Sequence, residues 1–310
     1  MKYPTPKLVV SACLAGEFVR YDGGTVKDPF VEKLLRYCQV IPVCPEVSIG
    51  LGVPRNKVIL YWKEKELRLV QPSSGKDLTE DMLSFVESFL SGLEEVDGFL
   101  LKGKSPSCGV SNSTLSYKDP EGRTFSHRTK GLFAKKVIER FEDLPVEDEK
   151  RLKDEKIKKH FLVRLFSIAR LREFISRAES ISQLMEFHRI NKYLLMLHSQ
   201  TKLKEMGRLV ASSKGFTQTI KEYSRLFRQA LKKTPSKGQY INTFTHIYGH
   251  LSRRLNQKEK DHFFTLLEDF RKGLVSEKTI LELLKNWSFR FEEDYLQTQT
   301  IFEPCPKELN

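Results

Sequence analysis

The 310-residue chain has no apolar run close to the roughly 18 residues that a membrane-spanning helix needs. Its first six residues, MKYPTP, lack the apolar segment of a secretory signal. Five cysteines are too few and too dispersed for a disulfide scaffold, and no repeat of fixed period or low-complexity tract is present. We therefore expect a cytoplasmic protein with no membrane partner and no evident obligate protein partner, whose cysteines serve metal binding or catalysis.

Charge is unevenly distributed along the chain. Residues 1–150 hold 22 basic and 22 acidic residues, whereas residues 151–310 hold 31 and 18, so the net charge of +13 belongs to the second half. An acidic stretch containing Pro145 separates the two halves. Beyond it, proline and glycine are scarce and apolar residues recur at helical spacing. This pattern predicts two domains, 1–145 and 146–310, of which the second is all-α.

Three short apolar runs each precede a cysteine. KLVV (7–10) comes before Cys13, VIPV (40–43) before Cys44 and GFLL (98–101) before Cys108. Each run predicts a buried strand, and helical stretches lie between the runs, so we expect an α/β domain with a mainly parallel sheet. Loops at the carboxyl ends of neighbouring parallel strands form a crevice, where the three thiols can meet.

A site made of three cysteines has two chemical interpretations. It can hold zinc with an open fourth position, or an iron–sulfur cluster in which one iron lacks a protein ligand. Spacing does not separate these, and inert core thiols are a third possibility because free cysteine is often buried. Cys38 in a helical stretch and Cys305 between two prolines are expected to be packing residues.

Three motifs resemble a known family. They are SACLAG (11–16) with RYDGG (20–24), CPEV (44–47) with GLGVPR (50–55), and LKGKSPSCG (101–109). Together they resemble the thiouracil desulfidases over residues 7 to about 140. FHRINKYLLMLHSQ (187–200) and NTFTHI (242–247) resemble a helical domain that is often fused after the desulfidase domain. In that architecture the resemblance implies a thiolated tRNA as substrate, notably one that carries 4-thiouridine.

The resemblance also implies a cofactor. Cys13, Cys44 and Cys108 are expected to bind a [4Fe-4S] cluster and to leave one iron open, so that sulfur leaves the base without net electron transfer. Many family members carry a further cysteine immediately before the Arg-Tyr-Asp-Gly run. Here that position is Val19, which cannot supply a fourth ligand.

The resemblance implies catalytic roles for two residues of these motifs. Glu46 is expected to act in acid–base catalysis, and Ser105 is expected to position the substrate. From the residues alone, Glu46 could equally be a first-turn helix carboxylate after Pro45, and Ser105 could be a turn residue. Further candidates for contact with the base or ribose follow from the same motifs. They are Arg20, Tyr21, Asp22 and Arg55.

Four basic residues recur at i, i+4, i+7 and i+11 in the second half. This basic stripe consists of Lys221, Arg225, Arg228 and Lys232. Such a stripe is usually a solvated helix face, but further lysines and arginines lie nearby in sequence, and clustered positive charge is typical of a phosphate-binding surface. The stripe therefore predicts tRNA binding.

Three alternatives to a tRNA desulfidase stay open at this point. The first is a desulfidase of free thiouracil or a related small thiobase. The second is a non-catalytic RNA-binding or redox-sensing protein that contains a cluster. A zinc hydrolase is the third and weaker alternative.

Overall fold

The computed structural model describes residues 3–63, 66–111, 113–118, 124–212 and 215–309. The chain divides into two compact units, Met1–Ala169 with Glu308–Asn310, and Arg170–Lys307. No helix within these described ranges is long and apolar enough to cross a membrane. The cytoplasmic location stays a prediction.

The first unit contains two β-sheets. Its strands are β1 (Lys7–Ser11), β2 (Gln39–Val43), β3 (Ile59–Lys63), β4 (Glu66–Gln71), β5 (Lys76–Asp77), β6 (Gly98–Leu101), β7 (Ser113–Lys118), β8 (Thr124–Thr129) and β9 (Val146–Asp148). Its helices are α1 (Pro29–Leu35), α2 (Pro45–Ser48), α3 (Thr79–Gly92) and α4 (Leu132–Arg140). The helix α5 (Glu155–Ile175) contributes residues to both units.

The first sheet has the order β2-β1-β6-β9, and all of its neighbouring strands are parallel. In β1 every residue after Lys7 is buried, and all of β6 is buried, as expected for strands covered on both faces. The parallel α/β arrangement and a strand at each of the three apolar runs are therefore confirmed. The predicted burial of VIPV is wrong, because β2 is an edge strand in which only Val43 is buried.

The second sheet was not predicted from the sequence. Its order is β5-β4-β3-β7-β8, and its pairs are antiparallel except for β3 with β7. In β4 only Leu69 is fully buried, so this strand lacks the continuous apolar run that marks β1 and β6. The sheet matters for the site because residues just before and within β3 line the cavity described below.

One apolar core joins both sheets to their helices. Helix α3 buries Met82, Val86 and Leu90 at intervals of one turn, and α4 buries Phe133 and Val137 against the same cluster. Burial of each such side chain stabilises the fold by about 1.5–3 kcal/mol. This packing fixes the strand ends that carry the cysteines.

The second unit is helical throughout its described part, which confirms the predicted all-α character of the second half. After α5 its helices are α6 (Ile181–Ile190), α7 (Lys192–His198), α8 (Gln200–Ala211), α9 (Phe216–Ala230), α10 (Lys237–Leu251), α11 (Gln257–Lys272), α12 (Glu277–Arg290) and α13 (Asp294–Gln297). Capping boxes at Ser180, Ser236 and Asn256 start α6, α10 and α11.

The division between the units falls later in the chain than the predicted boundary between residues 145 and 146. Strand β9 continues the parallel sheet beside β6, and Ile168 of α5 packs into the core of the first unit. The domains 1–145 and 146–310 stay a prediction, and the two compact units of the structure divide at Arg170.

Candidate active site

The three cysteines follow three neighbouring strands. Cys13 comes after β1, Cys44 lies between β2 and α2, and Cys108 lies in the loop after β6. Because β1 is flanked by β2 and β6, the carboxyl ends of these strands are adjacent. All three cysteines line a single cavity of about 390 Å³ at this edge. The fold thus brings together thiols that are far apart in sequence.

Hydrogen bonds at the strand ends position these cysteine-bearing loops. The Cys13 carbonyl accepts from Thr25 Oγ1 at 2.8 Å and from the Val26 amide at 2.9 Å. Ser11, the last residue of β1, accepts the Lys102 amide at 2.9 Å and so ties the end of β1 to the loop after β6. The Cys108 amide donates to Ser105 Oγ at 3.1 Å.

Close packing at Gly131 also holds the Cys108 loop. A Cβ atom at this position would lie 2.4 Å from the Ser107 carbonyl oxygen and 2.9 Å from the Cys108 amide nitrogen. Only glycine permits the chain entering α4 to approach the loop so closely. The position of Cys108 therefore depends on this contact.

Burial raises the proton affinity of all three thiols. The pKa of Cys13 is raised to about 11, with Lys102 opposing the shift and Cys44 adding to it. Burial likewise raises the pKa of Cys44 and of Cys108. Without a bound metal the thiols are therefore protonated at neutral pH, and metal binding releases protons.

The chemistry of the cavity lining bears on which metal group fits. Among the residues described, no group of three or more His, Cys, Asp or Glu side chains is arranged to hold a single metal ion. Three soft thiols around one cavity, with the cations of Arg20 and Lys102 acting on Cys13, fit an anionic iron–sulfur cluster.

Glu46 lines the cavity from the first turn of α2. Its Oε2 accepts two hydrogen bonds from the Arg55 guanidinium, at 3.0 Å and 2.8 Å, and its Oε1 accepts one from Ser107 Oγ at 2.9 Å. The ion pair is largely buried, with side-chain exposures of 5% for Arg55 and 13% for Glu46. Glu46 is thus both a first-turn helix residue and a cavity residue.

Ser105 also combines a turn with a place in the cavity wall. Its Oγ accepts the amides of Ser107 at 3.2 Å and Cys108 at 3.1 Å. Within the described ranges the Ser105 hydroxyl donates its proton to no acceptor. The Ser105 O–H therefore remains available as a donor.

The remaining motif residues occupy different places. Arg20 and Tyr21 line the cavity, and Asp22 binds the Arg20 guanidinium at 3.0–3.1 Å without lining the cavity itself. Hydrogen bonding to Arg20 lowers the pKa of Asp22 to about 2. The Tyr21 ring lies 5.5 Å from the Arg20 guanidinium and 5.0 Å from Lys57 Nζ.

Comparison with known proteins assigns the first unit. Residues 8–149 match the family model described as 2-thiouracil desulfurase. The uncharacterized protein YbbK of Bacillus subtilis (strain 168) is 30% identical over an alignment of 125 residues, and the match covers 37% of this chain and 83% of YbbK. The chain belongs to the 2-thiouracil desulfurase family. The resemblance predicted from the three motifs is thereby confirmed.

Other similarities extend over both halves. Residues 192–306 of this desulfurase-family chain match a second model, described as a protein of unknown function (DUF1722). The uncharacterized protein YbgA of Escherichia coli (strain K12) is 22% identical over 153 residues, 48% of this chain and 90% of YbgA. The solved structure of a [4Fe-4S]-dependent thiouracil desulfidase, TudS, shows 27% identity, a TM-score of 0.35, and coverage of 48% of this chain and 95% of TudS.

The sequence motifs do not indicate one ion pair of the first unit. Lys102 lines the cavity, and its ammonium donates to Glu149 Oε1 at 2.6 Å. Glu149 Oε2 accepts the Gly103 amide at 2.7 Å. Lys102 lies within a quoted motif, but Glu149 follows β9, beyond the predicted domain boundary. No local pattern in the sequence signals this pairing.

The basic stripe lies on and just after α9 in the second unit. Lys221, Arg225 and Lys232 are exposed, whereas Arg228 is half-buried and donates to the Ser224 carbonyl. Arg225 is paired with Glu222, so part of its charge is neutralised. Contact between the stripe and RNA stays a prediction.

Proposed function

We propose that this chain removes sulfur from a thiolated uracil at a [4Fe-4S] cluster held by Cys13, Cys44 and Cys108. In the reaction the C=S bond of the base is replaced by C=O from water, and sulfide is released, so no electrons are transferred. The observation that supports this most is that the three thiols share one cavity with Glu46 and Ser105. A bound cluster with one iron outside the cysteine set supplies a thiophilic Lewis acid to the sulfur.

Glu46 is suited to accept the proton of the attacking water. A carboxylate offers about four lone-pair positions, and three of those on Glu46 are occupied by Arg55 and Ser107. The remaining lone pair is on Oε1, the same oxygen that accepts the bond from Ser107. The bonds from Arg55 and Ser107 orient the carboxylate, so that this one acceptor position is presented to the attacking water.

Ser105 is suited to bind the base. Its Oγ accepts two backbone amides, which orients the hydroxyl and leaves its proton for a substrate acceptor. A ring carbonyl or thiocarbonyl of uracil provides such an acceptor. Ser105→Ala is therefore expected to weaken substrate orientation. Because it also removes the acceptor of the Cys108 amide, its turnover is compared with wild type at equal cluster content.

We infer that the thiolated uracil is carried by tRNA, as 4-thiouridine, and that the helical unit binds the RNA. The first 150 residues carry no net charge, whereas the rest carries the whole excess of +13. Phosphate binding by lysine and arginine gives a strong salt dependence, about 10³–10⁵-fold in affinity between 50 and 200 mM salt for six to ten contacts. A catalytic half without net charge benefits from a basic second half that binds the polyanion.

The experiment compares turnover of 4-thiouridine-containing tRNA with turnover of free 4-thiouracil. The wild type is set against a variant in which all four residues of the basic stripe are alanine. We expect the variant to lose tRNA turnover at low substrate concentration and to keep turnover of the free base. Equal turnover of tRNA by both proteins would contradict a role for the stripe.

Desulfurisation of a free thiobase is the second candidate. It is favoured by the description of the matched family, which names thiouracil. Efficient turnover of free 4-thiouracil with none of tRNA would select it. Binding of tRNA without sulfide release from either substrate would instead support a cluster-containing RNA-binding or redox-sensing protein.

A further inference from the structure

Arg55 lines the cavity, and four of its five side-chain donors bind oxygen atoms of the protein. A guanidinium carries five N–H groups, one on Nε and two on each terminal nitrogen. Nε and one Nη2 donor bind Glu46 Oε2, and the other Nη2 donor reaches Cys44 Sγ at 4.0 Å. The two Nη1 donors bind the carbonyls of Val19 at 2.9 Å and Gly52 at 3.1 Å. The only N–H of Arg55 without an oxygen acceptor in the described protein faces Cys44 Sγ.

These bonds connect the segments that form one side of the cavity. Val19 belongs to the loop after Cys13, and Glu46 and Cys44 belong to the start of α2. Gly52 adopts a positive φ of 67°, which favours glycine, in the turn that leads the chain back to Arg55. The Arg55 amide in turn donates to the Tyr21 carbonyl at 2.9 Å.

The effect on Glu46 is geometric. Arg55 fixes one carboxylate oxygen with two bonds, while the buried Ser107 hydroxyl fixes the other. A carboxylate held at both oxygens has one orientation in the cavity, which is the preorganisation that proton transfer needs. A single bond from Ser107 would leave the carboxylate free to rotate.

The effect on Cys44 is electronic. The same guanidinium places a positive charge and an N–H donor beside the sulfur. Hydrogen bonds to cysteine sulfur are one of the factors that set the reduction potential of a bound iron–sulfur cluster. The contact is long, so its influence is carried mainly by charge.

We propose that Arg55 is a positioning residue, which acts through Glu46 and Cys44 and does not contact the substrate. The proposal rests on the proposed desulfidase function for its kinetic part. Its second part, the effect on the reduction potential, depends only on a cluster at the three cysteines. The two parts can therefore fail separately.

Two variants separate charge from geometry. Arg55→Lys keeps the positive charge but replaces the planar five-donor fork by a single ammonium. Arg55→Gln removes the charge as well. Arg140→Gln is the matched control, because Arg140 pairs with Glu87 on the surface of the same unit and does not line the cavity.

We expect both Arg55 variants to lower kcat for free 4-thiouracil by about 10–100-fold with little change in KM. With cluster content equalised by iron and sulfide analysis, the reduction potential should become more negative in Arg55→Gln and move less in Arg55→Lys. Arg140→Gln should change neither quantity.

Other results would overturn the proposal. A raised KM with kcat retained would make Arg55 a substrate contact. Loss of activity only in proportion to lost cluster would make it a structural residue. A potential unchanged in Arg55→Gln would refute the effect on Cys44, and this measurement stands even if the wild type turns over no thiobase.

Discussion

The buried ion pair of Lys102 and Glu149 is expected to stabilise the first unit. The side chains are 16% and 5% exposed, and their charged atoms lie 2.6 Å apart. Glu149→Ala would leave the Lys102 ammonium buried without its carboxylate. It would also remove the acceptor of the Gly103 amide. We therefore expect a large loss of stability in the first unit.

Breaking a buried pair by removing one partner costs about 3–5 kcal/mol. Since 1.4 kcal/mol is a factor of ten, exchange of the slowest amides should accelerate roughly 100- to 5,000-fold. Hydrogen exchange at the amides of β1 and β6 measures this directly, because Lys102 follows β6 and its amide donates to Ser11 at the end of β1. Glu149→Gln keeps an acceptor for Gly103 and should cost less than Glu149→Ala.

A double-mutant cycle completes the test. Removing Lys102 together with Glu149 eliminates the uncompensated charge, so the double alanine variant should be more stable than the sum of the single losses implies. A coupling of about 0.5–3 kcal/mol is expected. Additive losses, or a loss below about 1 kcal/mol for Glu149→Ala, would refute the view that this pair fixes the loop after β6.

Three further predictions concern the Cys108 loop, pH and salt. Gly131→Ala should destabilise the first unit by about 1–3 kcal/mol and reduce iron loading, because the added Cβ would lie 2.4 Å from the Ser107 carbonyl oxygen. The control Gly92→Ala has open space around the added Cβ and should have neither effect. Burial lowers the pKa of His188, so this side chain binds a proton more readily in the unfolded chain than in the folded one. The Tm of the helical unit should therefore fall as pH drops below about 6.5, and it should fall less in His188→Gln. A Tm unchanged between pH 7.5 and 5.5 would contradict this. Alanine at the whole basic stripe should reduce the slope of log affinity for tRNA against log salt by about 3, and an unchanged slope would exclude phosphate contacts there.

The sequence predicts β1 and β6 well because these two central strands of the parallel sheet are buried on both faces. Apolar runs such as GFLL mark β6 directly, and the position of a cysteine after each run follows from the chain alone. Strand β1 lies between β2 and β6, and the three thiols line one cavity. This agrees with the expectation that loops at the carboxyl ends of neighbouring parallel strands form a crevice.

The second sheet and the ion pairs are harder to predict for physical reasons. Strand β4 alternates only weakly between buried and exposed residues, and its pairing depends on partners elsewhere in the chain. Arg55 reaches Glu46 only through the turn at Gly52, and Glu149 reaches Lys102 only because β9 joins the sheet. Such pairings are set by tertiary structure and leave no periodic signal.

Sulfide release from 4-thiouridine-containing tRNA by anaerobically reconstituted protein tests the central claim most directly. The wild type is compared with Cys108→Ala and with Cys38→Ala, a cysteine that does not line the cavity. We expect loss of thionucleoside absorbance and release of sulfide from the wild type and Cys38→Ala, and neither from Cys108→Ala. Undiminished release by Cys108→Ala, or no release by a wild type with intact cluster and bound tRNA, would contradict the assignment.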